Sequence, residues 1–314
     1  MRQYVLRRVS LVFPTLLIVS LFVFAMMRFL PGDVIAQMTQ GSLLAESADD
    51  LRRELGLDQP LHRQYLGWMV GLFRGDLGES LWTREPVLKE FLRRFPVTLE
   101  LALLTILVSV AFGITVGVVS AIRQDTWLDY AGRTLAILLL SIPYFWLGVI
   151  VVVLPAIFWR WTPVWTWVPF TEDPVQNLKI LAFPALVFGL TRAGPIMRLT
   201  RSSMLEVMRN DYIRTARAKG LRESVVVVRH ALKNALIPVV SIIGIQVPLY
   251  LGGSVIIESI FRLPGVGLFF FEGLIRRDYP VVQSVNLIIA SMVVLLNLAI
   301  DVSYAYLDPR IRYR

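Results

Sequence analysis

Cysteine is absent from the 314 residues, and histidine occurs only as His62 and His230. Without thiols there is no disulfide framework and no thiolate metal site, and cysteine usage gives no reading of redox compartment. No glycine is followed by lysine, which excludes a P-loop and with it that way of cradling a nucleotide. HExxH, GxSxG and clustered carboxylates are missing as well. The two histidines fall on opposite sides of a bilayer in the topology derived below, so they cannot share a metal or work as a pair. His230 reads as a plain surface or interface residue. The expectation is a chain that is not an enzyme and holds no cofactor or metal. If it does energetic work, a partner supplies the energy.

What the chain has instead is apolar length. It is 56% hydrophobic, with a mean hydropathy of +0.63. Several windows hold about 18 or more mostly apolar residues, enough to cross ~30 Å of hydrocarbon as helix. Arg2, Arg7 and Arg8 followed by Val9–Met27 mimic a signal peptide, but no small-x-small site follows and the run is long for one. An uncleaved first span is expected there. Further spans are expected at about Val97–Ala121, Thr134–Trp159, Leu178–Leu199, Ile237–Ile257 and Val281–Tyr304. The net charge of +9 concentrates beside these runs, as an orientation signal and not a nucleic-acid footprint. Ten Lys/Arg against three acids lie between Arg192 and Lys233, and Arg310, Arg312 and Arg314 mark the tail. The fold class expected is an all-α polytopic membrane protein: six transmembrane helices, both termini cytoplasmic, and a helical extracytoplasmic cap between spans one and two.

That cap, residues 31–96, has eight basic and ten acidic residues and repeated helix signals. Ser47 can cap a short helix ending at Gly56. Pro60 opens a second, with Leu61, Tyr65, Trp68, Met69, Leu72 and Phe73 on its apolar side and Gly75 after it. Thr83 can cap a third that ends before Pro96. The expected division is residues 1–30 as the first span, 31–96 as the cap, and 97–314 as a five-span core with a cytoplasmic loop at 200–236. Trp159, Trp161, Trp165 and Trp167 cluster outside span three, as a headgroup belt or, less commonly, a stacking platform.

Polar residues inside spans point to the bundle interior, as interhelical hydrogen bonds or as the lining of a pathway. The candidates for the lining are Gln246, Asn286, Asn297 and Arg192. Arg192 is expected near the inner interface, where span four ends early, with a wet cavity as the alternative. Asp301 sits near the cytoplasmic end, where an interfacial ion pair is expected. Gly113 and Gly117, with Ala121 beyond, form a small-xxx-small face suited to close packing.

The most basic stretch is Asp211–Pro238. Asp211 can cap a helix through Lys219 that Gly220 terminates, and Glu223 or Ser224 can cap a second helix running to Pro238. Arg214, Arg217, Lys219 and Arg222 charge this hairpin, while Ala216, Ala218 and Gly220 permit close approach by another surface. Rest on anionic lipid is one use of such a face. A glycine turn between two capped helices favours docking of a protein.

At these residues the chain resembles a known family. Thr215-Ala216-Arg217-Ala218-Lys219-Gly220-Leu221, then Arg229-His230-Ala231-Leu232-Lys233-Asn234-Ala235-Leu236-Ile237-Pro238, look like the coupling loop of ABC-importer permeases, in the B-type subunit of the dipeptide/oligopeptide/nickel branch. Leu30-Pro31-Gly32-Asp33, Leu55–Leu61 with Gln64-Tyr65, Gly75-Asp76-Leu77-Gly78-Glu79-Ser80, Phe261–Gly267, Arg277-Asp278-Tyr279-Pro280 and Tyr306–Arg310 extend the likeness over nearly the whole chain. Arg214 and Thr215 stand where the general importer pattern has Glu and Ala, a departure that itself resembles the peptide branch. The resemblance implies a multi-pass subunit of a prokaryotic cytoplasmic membrane that forms half of a pathway for peptides. Its partners would be a sister six-span permease, two ABC ATPases that bind ATP and Mg and dock on Arg214–Leu221, and an extracytoplasmic substrate-binding protein. Close relatives carry nickel complexes or oligosaccharides, and a self-sufficient channel or secondary carrier is the rival of a different class.

Overall fold

A computed structural model describes residues 2–29, 35, 52–53, 56–160 and 166–307. The Ser47 cap, the Leu30–Asp33 motif, Trp161, Trp165, the Asp301 side chain and the tail from Asp308 lie outside the described residues. The chain folds as two compact units, Met1–Pro96 with Pro264–Arg314, and Val97–Leu263.

Among the described residues the regular structure is helical, with one isolated β-bridge between Glu79 and Pro86. The helices are α1 (Arg2–Phe29), α2 (Leu61–Phe73), α3 (Val87–Ile122), α4 (Trp127–Ser141), α5 (Tyr144–Trp159), α6 (Pro174–Met208) and α7 (Asp211–Ala218). They are followed by α8 (Glu223–Phe261), α9 (Val266–Ile275) and α10 (Tyr279–Leu307). Five of them, α1, α3, α6, α8 and α10, are long and apolar enough to cross a membrane, and α4 with α5 makes a sixth if that bent pair is one span. The chain is a polytopic all-helical membrane protein.

Three expected helix boundaries shift, each at a proline or a turn. Span three is not one helix: α4 and α5 meet at 93°. Pro143 has no amide to donate and forces Ile142 out of the helical region, to ψ 122°. The third outer helix does not stop before Pro96; α3 runs through it to Ile122. The second helix of the basic loop does not stop at Pro238 either, and continues through Pro238 and Pro248 as α8. Within a long apolar helix a proline removes one hydrogen bond, and neighbouring groups can make good that loss.

In the first unit α1 packs along α10, and Tyr65 and Trp68 of α2 lie against Phe24 of α1, at ring-centroid distances of 5.4 and 6.3 Å. The Tyr65 hydroxyl is 2.9 Å from Ser20 Oγ. The expected apolar face of α2 is therefore only partly used: Leu61 and Phe73 remain exposed.

In the second unit α6 is the central helix. Two-thirds (67%) of its apolar window is buried, against 17 to 33% for the other four long helices. Glycines set how closely its neighbours come. A Cβ at Gly117 would lie 2.6 Å from Thr200 Cβ and one at Gly113 2.7 Å from Ile196 Cβ, so α3 crosses α6 at near-backbone contact. Gly189 and Gly194 give the reciprocal approach, toward Val108 of α3 and Leu140 of α4. The small-residue face read at Gly113 and Gly117 is thus in use.

Candidate functional site

Two regions of the second unit and one of the first carry the candidate residues. The basic hairpin is built from α7, a turn at Gly220, and the start of α8. Gly220 has φ +75°, a conformation glycine takes at little cost, and an added Cβ there would meet nothing within 4 Å. The expected caps are displaced: Asn210 and Arg222 occupy the N-cap positions, and neither makes a side-chain cap bond. Glu223 instead grips Arg217, whose Nη2 and Nε donate to its carboxylate at 2.7 and 3.1 Å. That contact pulls the guanidinium of Arg217 further up from its already high pKa. Ile213 and Ala216 turn inward and pack with Val226, Val227 and Ala231 of α8, Met204 of α6 and Ala121 of α3. Ala216 is therefore spent on the hairpin's own anchorage. The small residues left for a partner are Ala218 and Gly220, flanked by exposed Arg214, Thr215, Arg217, Lys219 and Leu221. Residues Val226–Leu232 of α8 form π-helix, and α8 then runs on without interruption.

Sequence reading missed what ties the neighbouring helices together. Asp129, fully buried in the first turn of α4, accepts Arg201 Nε and Nη2 from α6 at 2.7 and 2.8 Å. It also accepts Ser120 Oγ from α3 at 2.5 Å and the Asp125 amide at 3.0 Å. Arg133 stands 3.5 Å away, close enough for charge attraction. The only signal in the sequence was an acid at a helix start with Arg four residues on.

Arg192 lies midway along α6, so the helix does not end early and the charge does not sit at a helix end. It faces a cavity of about 390 Å³ lined by Tyr144, Thr191, Gln246 and Leu249 among others. Its guanidinium stands 5.6 Å from the Tyr144 ring centre and 5.4 Å from that of Phe188. Gln246, 6% exposed, lines the same cavity. Its Oε1 is 3.5 Å from the Tyr250 hydroxyl, which lies 2.8 Å from Ser109 Oγ. Arg192 and Gln246 are thus brought together. Asn286 and Asn297 belong to the other unit, where Asn297 is exposed beside Arg8 and Thr15. Glu100, near the start of the second expected span, accepts Asn177 at 2.8 Å.

In the first unit, two of the quoted segments meet although almost 200 residues separate them. Asp278 accepts Ser80 Oγ at 2.5 Å and the Leu81 amide at 3.2 Å. Trp82 Nε1 donates to the Arg276 carbonyl at 3.0 Å, and Ser284 Oγ to that of Leu77 at 2.7 Å. Gly78, at φ +79°, lets the loop lie against Pro280, where a Cβ would be 3.2 Å away. Burial pushes the Asp278 carboxyl up from its ordinary value, against the pull of the donors on Ser80, Leu81, Val281 and Trp82.

Residues 113–313 match the family described as binding-protein-dependent transport system inner membrane component, and residues 1–102 match its N-terminal counterpart. A Brucella abortus (strain 2308) protein named as a peptide transport system permease is 41% identical over 313 residues, covering the whole of both chains. The dipeptide transport system permease protein DppB of Escherichia coli (strain K12) is 40% identical over 338 residues, again over all of both. Among solved structures, the crystal structure of an amino acid ABC transporter with histidines covers 71% of this chain and 94% of its own, at a TM-score of 0.50 and 12% identity, a likeness of fold. The chain belongs to the family of inner membrane components of binding-protein-dependent transport systems, as a multi-pass permease subunit.

Proposed function

We propose that this subunit forms half of a peptide translocation pathway and is driven by ATPases that dock on the α7–α8 hairpin. The bent α4–α5 pair counts as one of six spans, both termini are cytoplasmic, and residues 31–96 form the extracytoplasmic cap. The partners are a sister six-span permease, two ABC ATPases that carry the ATP and Mg, and a substrate-binding protein on the outer side. This chain itself holds no cofactor. Two relatives that match end to end carry peptide transport in their names.

The observation that carries the coupling role is the hairpin's two-sidedness. Its apolar side is anchored on α3 and α6, its basic side is exposed, and its second limb is α8 itself. Closure of the ATPases would push the hairpin and so move α8 and its neighbours as a body, alternating access to the pathway.

Ala218→Trp in the assembled transporter tests this. Ala218 is exposed and helical, so the bulk meets the partner and not the fold. The expected result in reconstituted vesicles is retained ATP hydrolysis with uptake cut several-fold. Normal uptake would remove the coupling role. Gly220 is a poorer site for this test, since any β-carbon there strains the turn.

A further inference from the structure

Arg192 is a cation halfway along the most buried long helix, and among the described residues no carboxylate pairs with it. A charge on a membrane-spanning helix is costly and is kept where it faces a wet cavity and has something to bind. Its Nε is buried without a hydrogen-bond partner. So is Nε2 of Gln246, a side chain more than nine-tenths buried that lines the same cavity. Tyr250, held by Ser109, occupies the carbonyl side of that amide and leaves its NH2 without a partner. Unused buried donors are expensive unless a ligand satisfies them at some point in the working cycle.

The surroundings select the sign of that ligand. Leu140, Pro195 and Ile242 are shared with an adjoining cavity of about 750 Å³, whose charged lining is Arg133, Arg198 and Arg201. No acidic side chain lines either cavity among the described residues. Arg201 is already neutralised by Asp129, while Arg192 is not. The planes of Tyr144 and Phe188 hold the guanidinium, and Gly253 gives it room: a Cβ there would lie 3.5 Å from Nη2 and 2.8 Å from the Phe188 ring. A fixed guanidinium with a neighbouring amide N–H suits a planar, two-oxygen anion.

We propose that Arg192 and Gln246 form a subsite within the pathway that receives the free terminal carboxylate of the cargo. It rests on the peptide-pathway function above and adds to it which end of the peptide the permease holds.

The test uses the complete transporter in vesicles, with its binding protein, and two probes. One is an equimolar pool of di- to pentapeptides; the other is the same pool amidated at the C-terminus. The binding protein is common to every arm, so a change in the acid-to-amide uptake ratio between permease variants reports on the permease alone. Arg192→Gln should lower uptake of the free-acid pool about 10- to 100-fold, the usual weight of a hydrogen bond to a charged group. Uptake of the amidated pool should stay near its wild-type rate. Gln246→Leu should shift the ratio the same way by less, and Arg192→Lys should restore part of it. Equal loss of both pools, as when the arginine serves the fold or holds a lipid phosphate, overturns the subsite. A ratio unchanged by Arg192→Gln overturns it too and leaves the peptide pathway standing. Wild-type vesicles that hydrolyse ATP but take up neither pool overturn both.

Discussion

Asp129→Asn should unfasten α4 from α3 and α6. Four donors converge on two carboxylate oxygens of a fully buried side chain: Ser120, both contacting nitrogens of Arg201, and the Asp125 amide. Asparagine offers one acceptor oxygen, and its NH2 would have to face a guanidinium or a backbone donor. Breaking a buried ion pair by removing one partner typically costs about 3–5 kcal/mol. The Arg201 side chain is 20% exposed, so water can reach the stranded cation, and the lower end, about 3 kcal/mol, is expected. That is roughly two decades in the folding equilibrium constant. Purified subunit in mixed micelles, titrated with a denaturing detergent, reads it as a shifted midpoint. The double variant Asp129→Leu with Arg201→Met should be more stable than Asp129→Asn alone, because the guanidinium of Arg201 is no longer stranded and the more exposed Arg133 loses only a 3.5 Å attraction. A single variant within about 1 kcal/mol of wild type, or a double variant worse than the single, would refute the reasoning.

Gly117→Leu places carbon where Thr200 and the Met197 carbonyl already stand, at 2.6 and 2.8 Å. Overpacking of about 1–3 kcal/mol is expected in the same titration, with Gly117→Ala smaller. Gly220→Val should destabilise the hairpin and Gly220→Asn should spare it, since asparagine accepts the left-handed conformation; protease resistance at residues 211–236 distinguishes them. Asp278 has a folded-state pKa above its ordinary 3.8, so the folded form binds the proton more readily than the unfolded one. The Ser80–Asp278 knot is then firmest in acid and loosens as pH rises from 3.8 through the folded value. Hydrogen exchange of residues 77–86, corrected for its intrinsic rate, should show this dependence, and Asp278→Asn should flatten it.

The spans were legible because hydropathy and length decide them, and so was the Gly220 turn, because only the chain's local geometry is at stake there. The break at Pro143 was not. Pro96, Pro184, Pro195, Pro238 and Pro248 all sit inside continuous helices, so proline alone does not say which helix bends. The extended conformation of Ile142 does. The end of α6 was missed for a related reason: the apolar run fades after Leu190, but the helix is held by burial on most of its faces and continues to Met208. Ala216 looked available to a partner because helical spacing does not tell which side of α7 meets α6. The pairing of Asp278 with Ser80 joins positions that no local pattern connects, and Asp129 gave only the weak signal of a charge near a helix start.

The π-helical turn at Val226–Leu232 gives α8 a phase offset. Each residue of an α-helix advances the azimuth by about 100°, and a π segment carries a surplus residue in the same rise. The docking end of this 39-residue rod is therefore clocked against Gln246 by that surplus. Drive at the hairpin need not bend the rod to be felt at the cavity. Winding the surplus in or out would turn the one end against the other, as a crankshaft does. Deletion of one residue within 226–232 should remove the surplus and leave a straight α-helix whose two ends keep nearly their present phase, because the wide π turns already absorb that residue, but with nothing left to wind in.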